Sequence, residues 1–127
     1  MRINIGAVIQ HKNKILTLKR CKEDGGYWQY VTGTVEKNET LTEAVKREVF
    51  EETGFKISRV GDIIHSFTWL DKKDKECLDI TFLLKARTNK VVLSEEHTDY
   101  EWLTINKAIE KMKWKNNKVA LEKLKDL

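Results

Sequence analysis

The sequence predicts an α/β fold, and three observations carry that prediction. One stretch, Leu41–Thr53, has helix start and stop signals at its two ends. Several short stretches on either side of it alternate in polarity and are rich in β-branched residues. The chain has 127 residues with no internal repeat, low-complexity tract or linker, which suits a single domain over 1–127 with a modest core.

The elements follow in order. Arg2 to Ile9 alternates and reads as a strand, His11 to Asn13 as a turn, and Lys14 to Lys19 as a second strand. Asp24-Gly25-Gly26 is a loop. Trp28 to Thr32 is a short strand that ends at Gly33. After the helix, Val60 to Leu70 and Cys77 to Ala86 form a hairpin with Asp71 to Glu76 as its polar tip. Tyr100 to Leu103 is a last short strand, and Ile105 to Lys111 and Asn116 to Leu124 are helices.

The central helix is the best-marked element. Thr40 can act as its N-cap, and Glu43 three residues later completes a capping box. Gly54 stands where a left-handed C′ residue is wanted, and Phe55 follows as its apolar contact. At roughly 100° per residue, Leu41, Val45, Val49 and Ala44 share one arc, which should face the core. Glu48 and Glu52 fall inside that arc and Glu51 at its edge, while Glu43, Lys46, Phe50 and Thr53 lie opposite. Unpaired carboxylates on an inward face are costly. Two compensations are open. Arg47 can pair with them, although one arginine cannot neutralise three glutamates. A divalent cation can also be bound, and oxygen-only ligands at i, i+3 and i+4 select hard ions, Mg²⁺ or Mn²⁺.

Composition sets the bounds on partners. Lys plus Arg is 24 and Asp plus Glu is 20, a formal charge of +4. This mild excess suits an anionic partner such as a nucleotide or RNA, or an ordinary solvated surface. No apolar run reaches the length of about 18 residues that a membrane helix needs. The first residues, MRINIGAVIQH, turn polar too soon for a signal peptide, and Cys21 and Cys77 match no disulfide or metal spacing. A cytoplasmic setting is the expectation.

The stretch GTVEKNETLTEAVKREVFEETGF, Gly33 to Phe55, holds six glutamates. Its Gly33, Glu39, Arg47-Glu48, Val49, Glu51-Glu52 and Gly54-Phe55 resemble the complete signature of the Nudix hydrolases, at the family's spacing. The resemblance implies an α/β/α sandwich around a mixed sheet and an enzyme that cleaves a diphosphate linked to another moiety. It also implies that Glu48, Glu51 and Glu52, with the carbonyl of Gly33, hold Mg²⁺. Arg47 would then orient the carboxylates, Glu39 would fix the loop, and Gly33 and Gly54 would supply backbone geometry that a side chain forbids.

YWQYVTGTVE, SEEHTDYEWL and WKNNKVALEKL are similar to the bacterial dihydroneopterin triphosphate pyrophosphohydrolases, also described as dATP pyrophosphohydrolases. On that resemblance Glu96 is a late metal ligand and candidate general base, with Glu95 and Glu48 as rivals. Arg20 and Thr32 align with substrate contacts. Apart from the resemblance, a flat pterin or purine can stack on Trp28, Tyr27 or Trp69, with core packing the default role of each. Trp114 lines the site's edge or pins the last helix. His97 is expected to cap a loop backbone group rather than meet substrate.

Three departures stand out. Thr32 replaces a Gly common before Gly33, and Asn38 stands where Gly usually precedes Glu39, a position at which Asn tolerates a left-handed backbone. The tight turn after Leu70 shortens the chain where the pterin enzymes carry more. Alternatives that keep the chemistry are a dinucleoside polyphosphate, an oxidised dNTP or an RNA 5′ end as substrate. A ligand sensor without turnover is the alternative of a different class. The intact Glu48, Glu51, Glu52 and Arg47 favour the enzyme.

Overall fold

The computed structural model describes residues 1–127. Strand β1 (Arg2–His11) turns through Lys12, at φ 55°, into β2 (Lys14–Arg20). The two pair only at the turn, Gln10 with Ile15 and His11 with Lys14, and then diverge. The chain after the Gly25-Gly26 loop fills the gap. Its first part, β3 (Trp28–Gln29), pairs with β2, and its second, β4 (Val31–Thr34), pairs with β1. The single strand expected over Trp28 to Thr32 is therefore two strands. They break at Tyr30, which is buried in the fork with its hydroxyl 3.3 Å from Thr81 Oγ1. Gly33 lies inside β4 rather than at its end, because β1 still offers a partner at Ile5.

Helix α1 (Leu41–Thr53) has the expected ends. Thr40 and Glu43 form a reciprocal capping box, and Gly54 closes the helix at φ 79°. Asn38 is left-handed at φ 65° in the loop before it. Strands β5 (Ile63–Leu70) and β6 (Glu76–Lys85) form the expected hairpin. Its tip is held by Asp71 Oδ1, which accepts from the backbone N–H groups of Lys73 and Lys75. β6 runs parallel to β1 from Arg2–Cys77 to Gln10–Lys85, which makes the sheet mixed. β7 (His97–Leu103) starts earlier than its sequence suggests and pairs with the outer edge of β2. Helices α2 (Ile105–Lys111) and α3 (Lys115–Lys125) complete the chain.

The period of β1 divides the core between two faces. Ile5, Ala7 and Ile9 point to the side covered by α1, where Ala44, Val45, Val49 and Phe55 pack on them. Val8 points to the other side and meets Ala108, Met112, Ala120 and Leu121 of the last two helices. The result is the α/β/α sandwich. Thr53, placed on the open side of α1 by the helical wheel, is buried. The later chain crosses the helix end there, and Val92 N–H donates to the Thr53 carbonyl at 2.9 Å. No helix is long and apolar enough to cross a membrane.

Candidate active site

Three strand ends and one helix meet beside Gly33. The organising side chain is Arg47. Its Nε and Nη2 donate to the two carboxylate oxygens of Glu39, at 2.7 and 2.9 Å, a bidentate grip. Its Nη1 donates to Glu48 at 2.7 Å and more weakly to Glu51 at 3.4 Å, and Nη2 also reaches the Thr34 carbonyl at 3.0 Å. One guanidinium thus ties the loop, the helix and the end of β4 together. The Arg47 contact, and then the Glu36 backbone N–H, hold the Glu39 carboxyl down to about 2.

Glu48 packs flat against the backbone at Gly33. A Cβ at residue 33 would overlap the Glu48 carboxylate carbon, so only glycine lets the strand approach this side chain. Glu51, at the edge of the wheel, is half exposed. Glu52, inside the apolar arc, is 1% exposed, and neither of its oxygens has a hydrogen-bond partner.

Glu52 is the carboxyl that Arg47 does not reach. Burial first, then the neighbouring Glu48 and Glu96 carboxylates, push it up to about 10. Beneath it lies His97, with Nε2 3.6 Å from Glu52 Oε1. Burial, and then the Arg20 charge, lower His97 to about 4, so the imidazole is neutral and cannot serve as counter-ion. Ligand atoms of Glu52, Glu96 and His97 lie within 4.8 Å of one another. Orphaned, buried carboxylate oxygens converging with further carboxylates are what a hard divalent cation would satisfy.

This cluster borders a cavity of about 1020 Å³, walled by Glu48 and Glu96 and also by Arg20, Thr32 and Gly33. Arg20 pairs with Asp24 at 3.2 Å and keeps its buried Nε unpartnered. Tyr27, Phe67, Trp69 and Trp114 supply aromatic surface to the same cavity. It is a concave space with one anionic end, the Arg20 guanidinium in its wall and flat apolar walls.

A family model described as NUDIX domain matches residues 1–124. The chain belongs to the Nudix family. This Nudix hydrolase is 30% identical to the dihydroneopterin triphosphate diphosphatase of Haemophilus influenzae, over 87% of this chain and 78% of that one. It is 34% identical to the 8-oxo-dGTP diphosphatase of Buchnera aphidicola, over 82% and 77% of the two chains. It is also similar to the solved structure of the E. coli dihydroneopterin triphosphate pyrophosphohydrolase. There the TM-score is 0.84 and the identity 26%, with 94% and 92% of the chains covered.

The Nudix helix brings Glu48 and Glu52 to the inward positions its wheel suggests, Arg47 pairs with Glu48 beside them, and Glu96 reaches Glu52 from the turn just before β7. Glu95, its rival, is exposed and outside the cavity wall. Trp28 is a correction. It alternates with Gln29, which lines the cavity, so its own ring is turned away and lies under Lys111 Nζ at 4.4 Å. Tyr27 takes the cavity side and meets Trp114 edge-on at 5.6 Å. His97 is a second correction. It caps no loop backbone but is buried in β7 under Glu52, because the strand begins there and not at Tyr100.

Sequence reasoning passed over Asn4, Asp79, Asn116 and Asn117, all in the cavity wall. A polar Asn within the apolar run of β1 was the one local signal. Asp79 had none, since its role depends on pairing with a strand far away in the chain.

Proposed function

We propose that this Nudix hydrolase is a Mg²⁺-dependent pyrophosphohydrolase, with Mn²⁺ as a substitute, that splits a nucleoside or pterin triphosphate into a monophosphate and pyrophosphate. The observation that carries this reading is Glu52, a buried carboxyl with no hydrogen-bond partner, converging with Glu96 and His97 beside a cavity large enough for a nucleotide and walled by Glu48 and Glu96.

Glu48, Glu51, Glu52 and Glu96, with the Gly33 carbonyl, are the groups that would hold the ion. When bound, a divalent cation neutralises phosphate oxygens and acidifies a water. Arg47 keeps Glu48 in one rotamer. Glu96, exposed at the cavity lip, takes the proton from the attacking water. The water oxygen bonds to phosphorus as the α–β anhydride P–O bond breaks, and the electron pair leaves on the departing phosphate group. Arg20, in the cavity wall, offers its guanidinium to phosphate oxygens, Thr32 a hydroxyl beside Gly33, and Tyr27 and Trp114 stand over the ring. A cytoplasmic setting and a single domain over 1–127 fit the two free cysteines and the one continuous sheet.

A second reading, an RNA 5′ end as substrate, draws on Lys113, whose Nζ lies 5.4 Å from the Tyr27 ring and 5.0 Å from the Trp114 ring at the cavity rim. The test is product identity. The protein is incubated with Mg²⁺ and dihydroneopterin triphosphate, dATP, other dNTPs, diadenosine tetraphosphate or 5′-triphosphate RNA, and the products are resolved. Pyrophosphate with a monophosphate supports the first reading, and ATP from the dinucleotide or a 5′-monophosphate RNA replaces it. Full activity in Glu52→Gln would overturn the metal assignment.

A further inference from the structure

One row of the sheet crosses four strands in register and faces the cavity. Thr34 pairs with Asn4, Asn4 with Asp79, and Asp79 with Phe67. Its three polar members are hydrogen-bonded in series, and a neighbour on β5 joins them. Thr34 Oγ1 donates to Asn4 Oδ1 at 3.1 Å, and Asn4 Nδ2 donates to Asp79 Oδ1 at 2.9 Å. Trp69 Nε1 donates to the same Asp79 oxygen at 2.8 Å. Two donors thus hold Asp79 Oδ1, and nothing in the protein bonds Oδ2. No lysine or arginine pairs with this carboxylate, since the ion pairs lie elsewhere. Its two fixed contacts set the plane of the group, and the stacking surfaces Phe67 and Trp69 stand beside it on β5.

We infer that Asp79 is a specificity-determining residue that reads the substrate's heterocycle, and that it selects a ring presenting a lactam N–H next to an exocyclic amine. This rests on the reading of the cavity as a triphosphate site. Asp79 sits two strands from Gly33, on the order of 10 Å at the usual strand spacing. A ring attached to a triphosphate held at Glu48 and Arg20 extends about that far. A carboxylate only accepts, so its partner edge must donate. Oδ2 is the oxygen left free, and the 2-amino-4-oxo edge shared by guanine and the pterins brings two adjacent N–H donors to it. Adenine offers one amine beside a ring nitrogen that is itself an acceptor. That nitrogen would face Asp79 lone pair to lone pair, which rejects adenine by repulsion as well as by a missing bond.

The test changes the ligand first, so it does not depend on a variant folding. With the unaltered protein, dGTP is compared with dITP, which lacks only the exocyclic amine, and with dATP and dihydroneopterin triphosphate. The inference expects kcat/KM for dITP and dATP to fall about tenfold or more below that for dGTP or the pterin. The dGTP-to-pterin ratio tells which of the two carriers of that edge fits better. Binding of dGMP against dIMP, by calorimetry without metal, should show the same order. Asp79→Asn, which keeps the Oδ1 acceptor but replaces Oδ2 by a donor, should collapse the dGTP-to-dATP ratio. Equal kcat/KM for dGTP and dITP, or an unchanged ratio in Asp79→Asn, would overturn the inference. If no triphosphate is hydrolysed while dGMP still binds tighter than dIMP, the proposed reaction fails and the role of Asp79 stands.

Discussion

Arg47 grips Glu39 through two parallel hydrogen bonds, Nε to Oε2 at 2.7 Å and Nη2 to Oε1 at 2.9 Å, and with its remaining nitrogen holds Glu48 at 2.7 Å. A planar fork grips Glu39 bidentately and still reaches Glu48 in a fixed direction, whereas an ammonium has its three donors on one nitrogen and cannot reproduce that geometry. Arg47→Lys should therefore release Glu48 while the charge is kept. Apparent Mg²⁺ affinity, measured by titrating activity, should weaken about 10- to 100-fold. An unchanged Mg²⁺ curve would mean that Arg47 serves the fold alone.

Gly33 and Glu48 make the same point from the strand side. Gly33→Ala forces the Glu48 side chain away from the backbone it packs on. The expected cost is about 1–3 kcal/mol of stability, as for overpacking elsewhere. The loss in kcat should be the larger effect, above about tenfold. Thermal melts and steady-state kinetics on one preparation separate the two, and a full kcat with a lowered Tm would remove Gly33 from the site.

Glu52 and His97 set the pH dependence of the metal-free protein. Glu52 is raised from 4.5 to about 10, so between those values the folded state binds the extra proton and stability falls as pH rises. His97 is lowered from 6.5 to about 4, so between those values the unfolded state binds the extra proton and stability rises with pH. The two slopes oppose each other below 6.5. Above it the Glu52 slope stands alone, at most about 1.4 kcal/mol per pH unit. Chemical denaturation of metal-free protein from pH 7 to 9 should show it. Glu52→Gln, or saturating Mg²⁺, should flatten it. A slope that survives in Glu52→Gln would belong to another group.

Tyr27 and Trp28 are neighbours with opposite duties. Tyr27→Ala removes a cavity wall and should raise KM about tenfold, in line with ring stacking worth about 1–3 kcal/mol. Trp28→Ala removes the ring beneath Lys111, while the backbone bridge to Met112 remains. It should lower Tm with KM changed less than about twofold. A larger KM effect at Trp28 would return it to the substrate site.

The carboxylate helix was readable in one dimension because its causes are local. Capping needs Thr40 and Glu43 three residues apart, the stop needs Gly54, and the helical period alone places Glu48 and Glu52 inward and Glu51 at the edge. Asn38 accepting a left-handed backbone is equally local. The β5–β6 hairpin was visible for the same reason, since its two strands and its polar tip are consecutive.

What only the tertiary structure decided is everything that depends on which strand lies beside which. The break at Tyr30 follows from β1 and β2 diverging, an event set by β4 pairing with β1. The side Trp28 faces depends on that break, and so does the side given to Tyr27. His97 lies under Glu52 because β7 joins the outer edge of β2, with Arg20 opposite His97. Asn4 and Asp79, 75 residues apart, meet only through the parallel register of β1 and β6. Side-chain periodicity tells that a residue is on a face. Register between distant strands tells what shares that face with it, and hydrogen-bond pairing over such separations leaves no trace in the spacing of the residues themselves.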